Sequence, residues 1–123
     1  MKIKESAENY LETIFMLNKR NGHVRSIDVA NELGVTKPSV SVAMKNFREE
    51  GYIVVDEEGR ISLTNKGKEI AERVYERHGV IAEALMFLGV EEKVAYEDSC
   101  KIEHDISQQS FEKIKEFLTK RKS

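Results

Sequence analysis

Residues 26–51 read SIDVANELGVTKPSVSVAMKNFREEG, and this stretch decides the fold of the chain. Its second half has apolar residues at the spacing i, i+3, i+4, i+7, which predicts a helix with one buried face. These residues are Val40, Ala43, Met44 and Phe47. A shorter helix, about Ile27 to Leu33, precedes it and ends at Gly34. The spacing of Ala30, Gly34 and Val40 is typical of a helix-turn-helix, in which a small residue allows close approach, a glycine takes the turn and a branched residue packs underneath.

The opposite face of the second helix carries side chains suited to DNA. Short hydrogen-bonding groups, a small apolar group and a cation can contact base edges and phosphates. This face consists of Ser39, Ser41, Val42, Lys45 and Asn46. Thr36 is the predicted N-cap, and Pro38 lies in the first turn, where its missing N–H has little effect. We therefore interpret Thr36 to Glu50 as a DNA-recognition helix.

The composition is that of an ordinary globular protein of one domain or two small units. The chain has 123 residues, of which 40% are hydrophobic and 34% charged. No apolar run approaches the roughly 18 residues of a transmembrane helix, and no apolar signal segment follows Met1 to Glu5. We therefore expect a cytoplasmic protein with no membrane partner.

The formal net charge of −2 is slightly unfavourable for DNA binding, because phosphate contacts dominate affinity. The first 77 residues contain equal numbers of acidic and basic side chains. A DNA-binding surface would therefore need basic residues gathered on one face. The candidates are Lys37, Lys45, Arg48 and Arg60.

An amphipathic helix is predicted for residues 6–20, with Ser6 as its N-cap and Asn21-Gly22 at its end. Its apolar stripe consists of Tyr10, Leu11, Ile14, Phe15 and Leu17. Three polar residues lie off this stripe or at its edge, and a solvent-exposed face is the simplest interpretation of them. They are Glu8, Asn9 and Glu12.

A β-hairpin is predicted after the recognition helix. Tyr52–Asp56 is rich in β-branched residues, Glu57-Glu58-Gly59 supplies a turn, and Ile61–Leu63 alternates. Residues 23–25 are also expected to be strand-like. A hairpin attached to a helix-turn-helix forms a wing, and Arg60 near its tip could reach a phosphate or a minor groove. The adjacent acidic pair would weaken that contact.

The second half of the chain is predicted to be helical. A long helix begins after its N-cap, Thr64, and ends at Gly89. A further helix is predicted for Val90–Ile106. Ser107 then caps a last helix, which runs to about Lys120.

These elements predict a mainly α fold with a small β-wing. An N-terminal winged helix-turn-helix at residues 1–64 would be followed by an all-helical dimerisation unit at residues 65–123. Such a small helical unit is best stabilised by pairing with a copy of itself, and Val80–Leu88 is the candidate interface. A dimer would place two recognition helices roughly 34 Å apart, as a palindromic site requires.

Cys100, Glu103 and His104 form the pattern with the clearest chemical content. On a helix, positions i, i+3 and i+4 share one face, so a thiolate, a carboxylate and an imidazole would point the same way. Such a set suits Fe(II), Co(II), Mn(II) or Zn(II) better than Mg(II) or Ca(II). Two alternatives remain open: a buried cysteine beside two exposed polar residues, and a Cys–His nucleophile and base. Cys100 is the only cysteine, so an internal disulfide is excluded.

Taken in order, the chain resembles the diphtheria toxin repressor and manganese transport regulator family of metal-dependent transcription repressors. The resemblance covers essentially the whole chain and is most specific in Arg77-His78 and in YEDSCKIEHDIS at residues 96–107. It implies metal ligands on the first helix, on the long helix and on the helix after it. These are Asn9, Glu12, His78, Cys100, Glu103 and His104. It also implies that the metal is Fe(II) or Mn(II), with Co(II) and Zn(II) as surrogates.

The chain departs from the family pattern at several positions. Asn9 stands where the iron-type branch has methionine and the manganese-type branch aspartate, whereas cysteine at position 100 is the iron-type choice. Ala82 and Tyr96 stand where iron-type relatives have a glutamate and a histidine. A second, ancillary metal site would therefore need a substitute ligand, for which the candidates are Glu83, Glu97 and Glu12. We therefore expect the short form of the family, without the SH3-like domain of some iron-type members.

The residues and the resemblance together predict a DNA-binding repressor that is not an enzyme. A divalent metal bound between the two units would order a homodimer for a palindromic operator in double-stranded DNA and control metal-homeostasis genes, with no small-molecule substrate. The alternatives are a winged-helix regulator that no metal gates and a small metal-dependent hydrolase. The predicted DNA contacts are Arg25, Thr36, Lys37, Pro38, Ser39, Ser41, Val42, Lys45, Asn46 and Arg60.

Overall fold

A computed structural model describes residues 5–122, which form a mainly helical chain with one two-stranded antiparallel sheet, as predicted. In chain order the elements are α1 Glu5–Asn21, α2 Ser26–Leu33, α3 Lys37–Glu49, β1 Ile53–Val55, β2 Ile61–Leu63, α4 Asn65–Phe87, α5 Glu92–Ile102 and α6 Gln108–Lys122. The chain divides into two compact units, Met1–Glu72 and Arg73–Ser123. The long helix α4 therefore begins in the first unit and ends in the second.

The first unit is built around the apolar faces of α1, α2 and α3. Its core consists of Leu11, Ile14, Leu17, Val24, Val29, Ala30, Val40, Met44, Phe47, Ile53, Ile61 and Ala71. The predicted buried face of α3 is confirmed, although Ala43 is only partly buried. Ser6 lies inside α1, which already includes Glu5, so its predicted role as N-cap is wrong.

Local signals fix both ends of the turn between α2 and α3. Gly34 follows α2 with φ +67°, a left-handed conformation that glycine adopts without strain. The Thr36 side chain accepts a hydrogen bond from the Ser39 N–H at 3.3 Å, so the predicted N-cap of α3 is confirmed. The orientation of the recognition helix is therefore set by short-range chemistry as well as by core packing.

The wing is a short hairpin in the predicted place. Val54 pairs with Ser62 at the centre of the antiparallel ladder. Residues 23–25 are not a strand, so that prediction is wrong: α2 begins directly afterwards, at Ser26. A backbone hydrogen bond links this stretch to the hairpin: the Ile61 N–H donates to the Val24 carbonyl at 2.7 Å.

The start of α4 is locked onto the backbone that follows the recognition helix. The Thr64 hydroxyl donates to the Gly51 carbonyl at 2.6 Å and accepts from the Gly67 N–H at 3.2 Å, which confirms Thr64 as the cap of α4. A Cβ added at Gly67 would overlap the Tyr52 carbonyl oxygen. Glycine is therefore required at this position by the close approach of two backbones.

The second unit packs the later part of α4 with α5 and α6. Its buried apolar residues are Val74, Ile81, Ala82, Ala95, Phe111 and Leu118. Helix α5 is shorter than the predicted Val90–Ile106, because it ends at Ile102 and a turn follows. Ser107 accepts a hydrogen bond from the Ser110 N–H at 3.1 Å, which confirms the predicted cap of α6. Within residues 5–122, no helix has the length and apolar character needed to cross a membrane.

Candidate metal centre and DNA-recognition surface

Three potential metal ligands converge at the C-terminal end of α5. Their ligand atoms, the Cys100 Sγ, a Glu103 carboxylate oxygen and a His104 ring nitrogen, all lie within 4.8 Å of one another. His104 lies in the turn after α5 rather than on the helix itself. Glu103 nevertheless keeps right-handed helical angles, with φ −58° and ψ −27°, and its N–H donates to the Ser99 carbonyl. The three side chains therefore lie together although the helix ends earlier than predicted.

Two of the three side chains in this cluster are buried, unlike those of an ordinary surface cluster. Glu103 is 2% exposed, and the His104 side chain is also 2% exposed. The interpretation of a buried cysteine beside two exposed polar residues is therefore wrong. Glu103 Oε1 lies 3.5 Å from His104 Nε2, and its Oε2 lies 3.8 Å from His78 Nδ1. A buried carboxylate is unfavourable unless positive charge compensates it.

The His78 ring is oriented so that one nitrogen faces Glu103. Its Nε2 lies 3.2 Å from the Tyr96 carbonyl oxygen. A carbonyl can only accept a hydrogen bond, so in the neutral ring Nε2 carries the proton and Nδ1 keeps its lone pair. Nδ1 is then available as a metal ligand, and the Tyr96 carbonyl orients the ring from behind, as acceptors behind metal-binding histidines commonly do. The Tyr96 ring also meets the His78 ring edge-on, at a centroid distance of 5.7 Å.

The donor set of the second unit fits a divalent transition metal. It combines one thiol, one carboxylate and two imidazoles, a mixture that suits iron, cobalt, manganese or zinc. The buried carboxylate supplies the negative charge that a divalent cation would balance. The roles of Cys100, Glu103, His104 and His78 as ligands remain predictions that this arrangement supports.

The other two predicted ligands lie on α1, in the first unit. Glu12 is only 5% exposed, so a solvent-exposed face is the wrong interpretation for this residue. Asn9 is half-buried. Glutamate is rarely this buried, and buried carboxylates are usually paired.

Two departures from the family pattern have structural consequences. Ala82 is fully buried and packs in the core of the second unit, where the side chain has no ligand atom. Tyr96 is 44% exposed and contributes its backbone carbonyl to the orientation of His78. The sequence predicted that positions 82 and 96 supply no side-chain ligand. It did not predict that the backbone carbonyl of Tyr96 orients His78.

The predicted DNA-contacting face of α3 points to solvent. The exposed predicted contacts are Arg25, Thr36, Lys37, Pro38, Ser39, Ser41, Val42, Lys45 and Asn46. Val42 is 61% exposed on this face. Exposed apolar groups of this size can contact a thymine methyl group. The α3 side chains that the sequence assigned to this face are therefore exposed, and their contacts with DNA remain predictions.

Arg60 on the wing is held by acidic neighbours. Its guanidinium forms an ion pair with Glu58 and lies 3.5 Å from an Asp56 carboxylate oxygen. The other Asp56 oxygen accepts the backbone N–H groups of Glu58 and Arg60, both at 2.9 Å. Arg60 would have to leave these partners to contact a phosphate, so the weakening effect expected from the acidic wing has a structural basis.

Comparison with known proteins places both halves of the chain. Residues 2–60 match the family described as "Iron dependent repressor, N-terminal DNA binding domain". Residues 64–123 match the family described as "Iron dependent repressor, metal binding and dimerisation domain". Together the two matches account for nearly the whole sequence.

Individual relatives agree with these matches. The chain is 34% identical over 109 residues to the HTH-type transcriptional regulator MntR of Bacillus subtilis (strain 168), an alignment that covers 89% of this chain and 77% of MntR. It is 34% identical over 120 residues to an uncharacterized HTH-type transcriptional regulator of Methanocaldococcus jannaschii, covering 96% of each. The solved structure of the manganese regulator SloR superposes with a TM-score of 0.80 at 28% identity over 97% of this chain. The chain spans only 55% of the length of the SloR chain.

Proposed function

The chain belongs to the iron-dependent repressor family of metal-dependent, DNA-binding transcriptional repressors, and we propose that in this member a divalent transition metal orders a homodimer for operator binding. The observation that carries the proposal is the convergence of the Cys100, Glu103 and His104 side chains around a buried carboxylate. A metal-independent winged-helix regulator would not need to bring these three groups together around a buried carboxylate. A hydrolase based on a Cys–His pair would also need an open substrate site beside them.

The proposed ligand set draws on both units. Cys100, Glu103, His104 and His78 belong to the second unit, and Asn9 and Glu12 belong to the first. When bound, the cation would balance the negative charge of the buried carboxylates and hold its ligands together. Glu12 and Asn9 would then restrict the movement of α1, and with it the core on which α3 packs. The recognition helix would then lose less conformational entropy when it binds DNA.

The proposed metal is Fe(II) or Mn(II), with Co(II) and Zn(II) as surrogates. The thiolate of Cys100 favours iron, because soft sulfur ligands suit it better than manganese. The amide oxygen of Asn9 is a hard, neutral ligand that either ion accepts. The similarity to SloR, a manganese regulator, favours manganese at this site.

The proposed homodimer uses an apolar surface at the end of α4. Phe87 is 55% exposed and Leu88 is 77% exposed. Phe117 on α6 is 45% exposed and meets Phe87 edge-on, at a centroid distance of 6.0 Å. Contiguous exposed apolar residues mark an association surface, and the predicted interface Val80–Leu88 includes Phe87 and Leu88. A two-fold dimer would present two α3 helices to a palindromic operator.

A metal titration of DNA binding tests this function. Operator duplexes would be selected from a randomised palindromic library, and their affinity measured under anaerobic conditions with Fe(II), Mn(II), Co(II), Zn(II) or chelator. Coupling between metal and DNA is typically worth about 1–3 kcal/mol, so we expect about 5- to 150-fold tighter DNA binding with the cognate metal. Cys100→Ala and His104→Ala should lose this response, whereas Lys101→Ala, an exposed neighbour, should keep it.

The same titration separates the alternatives. DNA affinity that no metal changes, in the wild type and in both ligand variants, would support a regulator that no metal gates. Metal-dependent hydrolysis of model esters by a protein that ignores every duplex would support an enzyme. No enzymatic activity and no small-molecule substrate are proposed for this chain.

A further inference from the structure

Arg77 joins α4 to both ends of the turn that carries two proposed metal ligands. Its Nη1 donates to the Glu103 carbonyl at 3.1 Å, and its Nη2 donates to the Ile106 carbonyl at 3.1 Å. The guanidinium also lies over the Phe111 ring of α6, 5.2 Å from the ring centroid. One side chain therefore contacts the end of α5, the following turn and the start of α6.

The chemistry of these contacts suits arginine and no other residue. The last carbonyls of a helix lack intrahelical partners and carry partial negative charge, so a cation at this end is favourable. The planar guanidinium presents two terminal nitrogens in a fixed fork, and it can stack on an aromatic face. Lysine has a single ammonium group, so it cannot reproduce the fork and the stacking together.

The position of Arg77 in the chain links it to the metal centre. The two carbonyls that accept its hydrogen bonds belong to Glu103 and Ile106, and His104 lies between these residues in the sequence. Its neighbour His78 presents Nδ1 to the Glu103 carboxylate at 3.8 Å. The same turn of α4 thus holds the backbone of Glu103 through Arg77 and faces the Glu103 side chain through His78.

We propose that Arg77 is a positioning residue for the metal centre: its fork fixes the turn at residues 103–106 so that the Glu103 and His104 ligand atoms stay where the metal needs them. This inference rests on the proposed metal-dependent function. Arg77 is permanently cationic and does not itself bind the metal. Without the fork, the turn would have to be ordered each time a metal binds, and the metal affinity would fall.

Two variants separate positioning from simple charge. Arg77→Met keeps an apolar stem against Phe111 and removes both hydrogen bonds and the charge. Arg77→Lys keeps the charge but lacks the fork. Lys115→Met is the matched control, because Lys115 donates to Glu76 at 2.8 Å and so also ties α6 to α4, at an exposed position away from the ligand turn. This hydrogen bond raises the pKa of Lys115, so the control removes a genuine cationic contact.

The test is an anaerobic Co(II) titration of the full chain, followed through the sulfur-to-cobalt charge-transfer band and the d–d bands. Loss of a residue that orients a metal ligand typically lowers metal affinity about 10- to 100-fold, and we expect a loss in this range for Arg77→Met. Arg77→Lys should recover only part of the affinity, and both variants should have altered d–d bands. Lys115→Met should match the wild type in affinity and in spectrum.

Circular dichroism of each metal-free variant shows whether the helical fold is retained. If Arg77→Met does not fold, Arg77→Lys carries the test alone, with the same expectation of weaker binding and altered bands. Wild-type affinity and spectra in the folded variants would overturn the role of Arg77. Absence of Co(II) binding by the wild type would instead overturn the proposed function, so the two failures can be told apart.

Discussion

The recognition helix α3 and the turn after α5 place functional side chains in opposite environments. The α3 residues assigned to DNA are exposed, while the opposite face of the helix packs into a continuous apolar core. The ligand turn instead buries Glu103 and the His104 side chain among polar groups. The first surface is complete without a ligand, because hydrophobic packing and a cap define its shape. The second gathers buried charge that a cation would balance, which makes it the natural place for a switch.

The largest expected effect comes from neutralising the buried carboxylate. Glu103→Gln keeps the shape of the side chain and removes its charge. Removing a ligand should weaken metal binding by more than the roughly 10–100-fold that a residue orienting a ligand is worth, and the metal response of DNA binding should disappear. Isothermal titration of the metal and fluorescence anisotropy of an operator duplex measure the two effects, and a folded variant that keeps the wild-type metal affinity would contradict this account of the ligand turn.

Gly67 tests whether close backbone packing holds the first unit together, and Gly79, farther along the same helix, provides the control. Gly67→Ala should destabilise the chain by about 1–3 kcal/mol, as overpacking does, because the new Cβ overlaps the Tyr52 carbonyl. Gly79→Ala is the matched control on the same helix, where an added Cβ meets no atom within 4 Å. It should stabilise the chain by about 0.5–1 kcal/mol, because alanine favours the helix interior. Denaturant unfolding without metal measures both changes, and equal effects would argue against the close backbone approach.

Lys45 tests the electrostatic part of the recognition surface. If its ammonium contacts a phosphate, Lys45→Ala should weaken binding to all duplexes by a similar factor and lower the salt dependence of binding by about one counterion. The metal affinity without DNA should not change, because Lys45 is not one of the proposed ligands and is distant from them in the sequence. Fluorescence anisotropy at several salt concentrations gives the slope. A change confined to one base pair of the operator would indicate base contact instead.

The wing should give the smallest effect. Glu58→Gln removes one of the two acidic partners of Arg60 and leaves Asp56 as its remaining ion-pair partner, so its guanidinium is less strongly held away from a phosphate. Exposed ion pairs are worth about 0.2–1 kcal/mol, so DNA affinity should rise by no more than about five-fold. Glu57→Gln is the control, because it removes the same charge from the same turn without breaking this ion pair. An equal gain in both variants would show that net charge alone is responsible.

Sequence patterns predicted the recognition helix α3 more completely than the turn after α5. The spacing of Val40, Met44 and Phe47 and the cap at Thr36 are local signals, and local signals suffice where a helix packs one face on a core. The end of α5 was misplaced because Ile102 and Ile106 continue the apolar spacing, whereas the chain turns after Ile102, where the Asp105 N–H donates to the Ile102 carbonyl in an i→i−3 bond.

The parts of the site that sequence could not supply depend on backbone atoms. The Tyr96 carbonyl behind His78 and the two carbonyls held by Arg77 belong to no side-chain pattern. An arginine directly before a predicted ligand was the one available signal for Arg77. The burial of Glu12 was missed because a residue at the edge of an apolar stripe can face either solvent or a packed neighbour.

The central claim is that metal and DNA favour the same conformation of this chain, and reciprocal binding tests it most directly. Metal affinity would be measured with saturating operator duplex and without it, and DNA affinity with saturating metal and without it. Linkage requires the two ratios to be equal, and we expect both to lie between about 5 and 150. A metal that binds with the same affinity whether or not the operator is present would contradict the account.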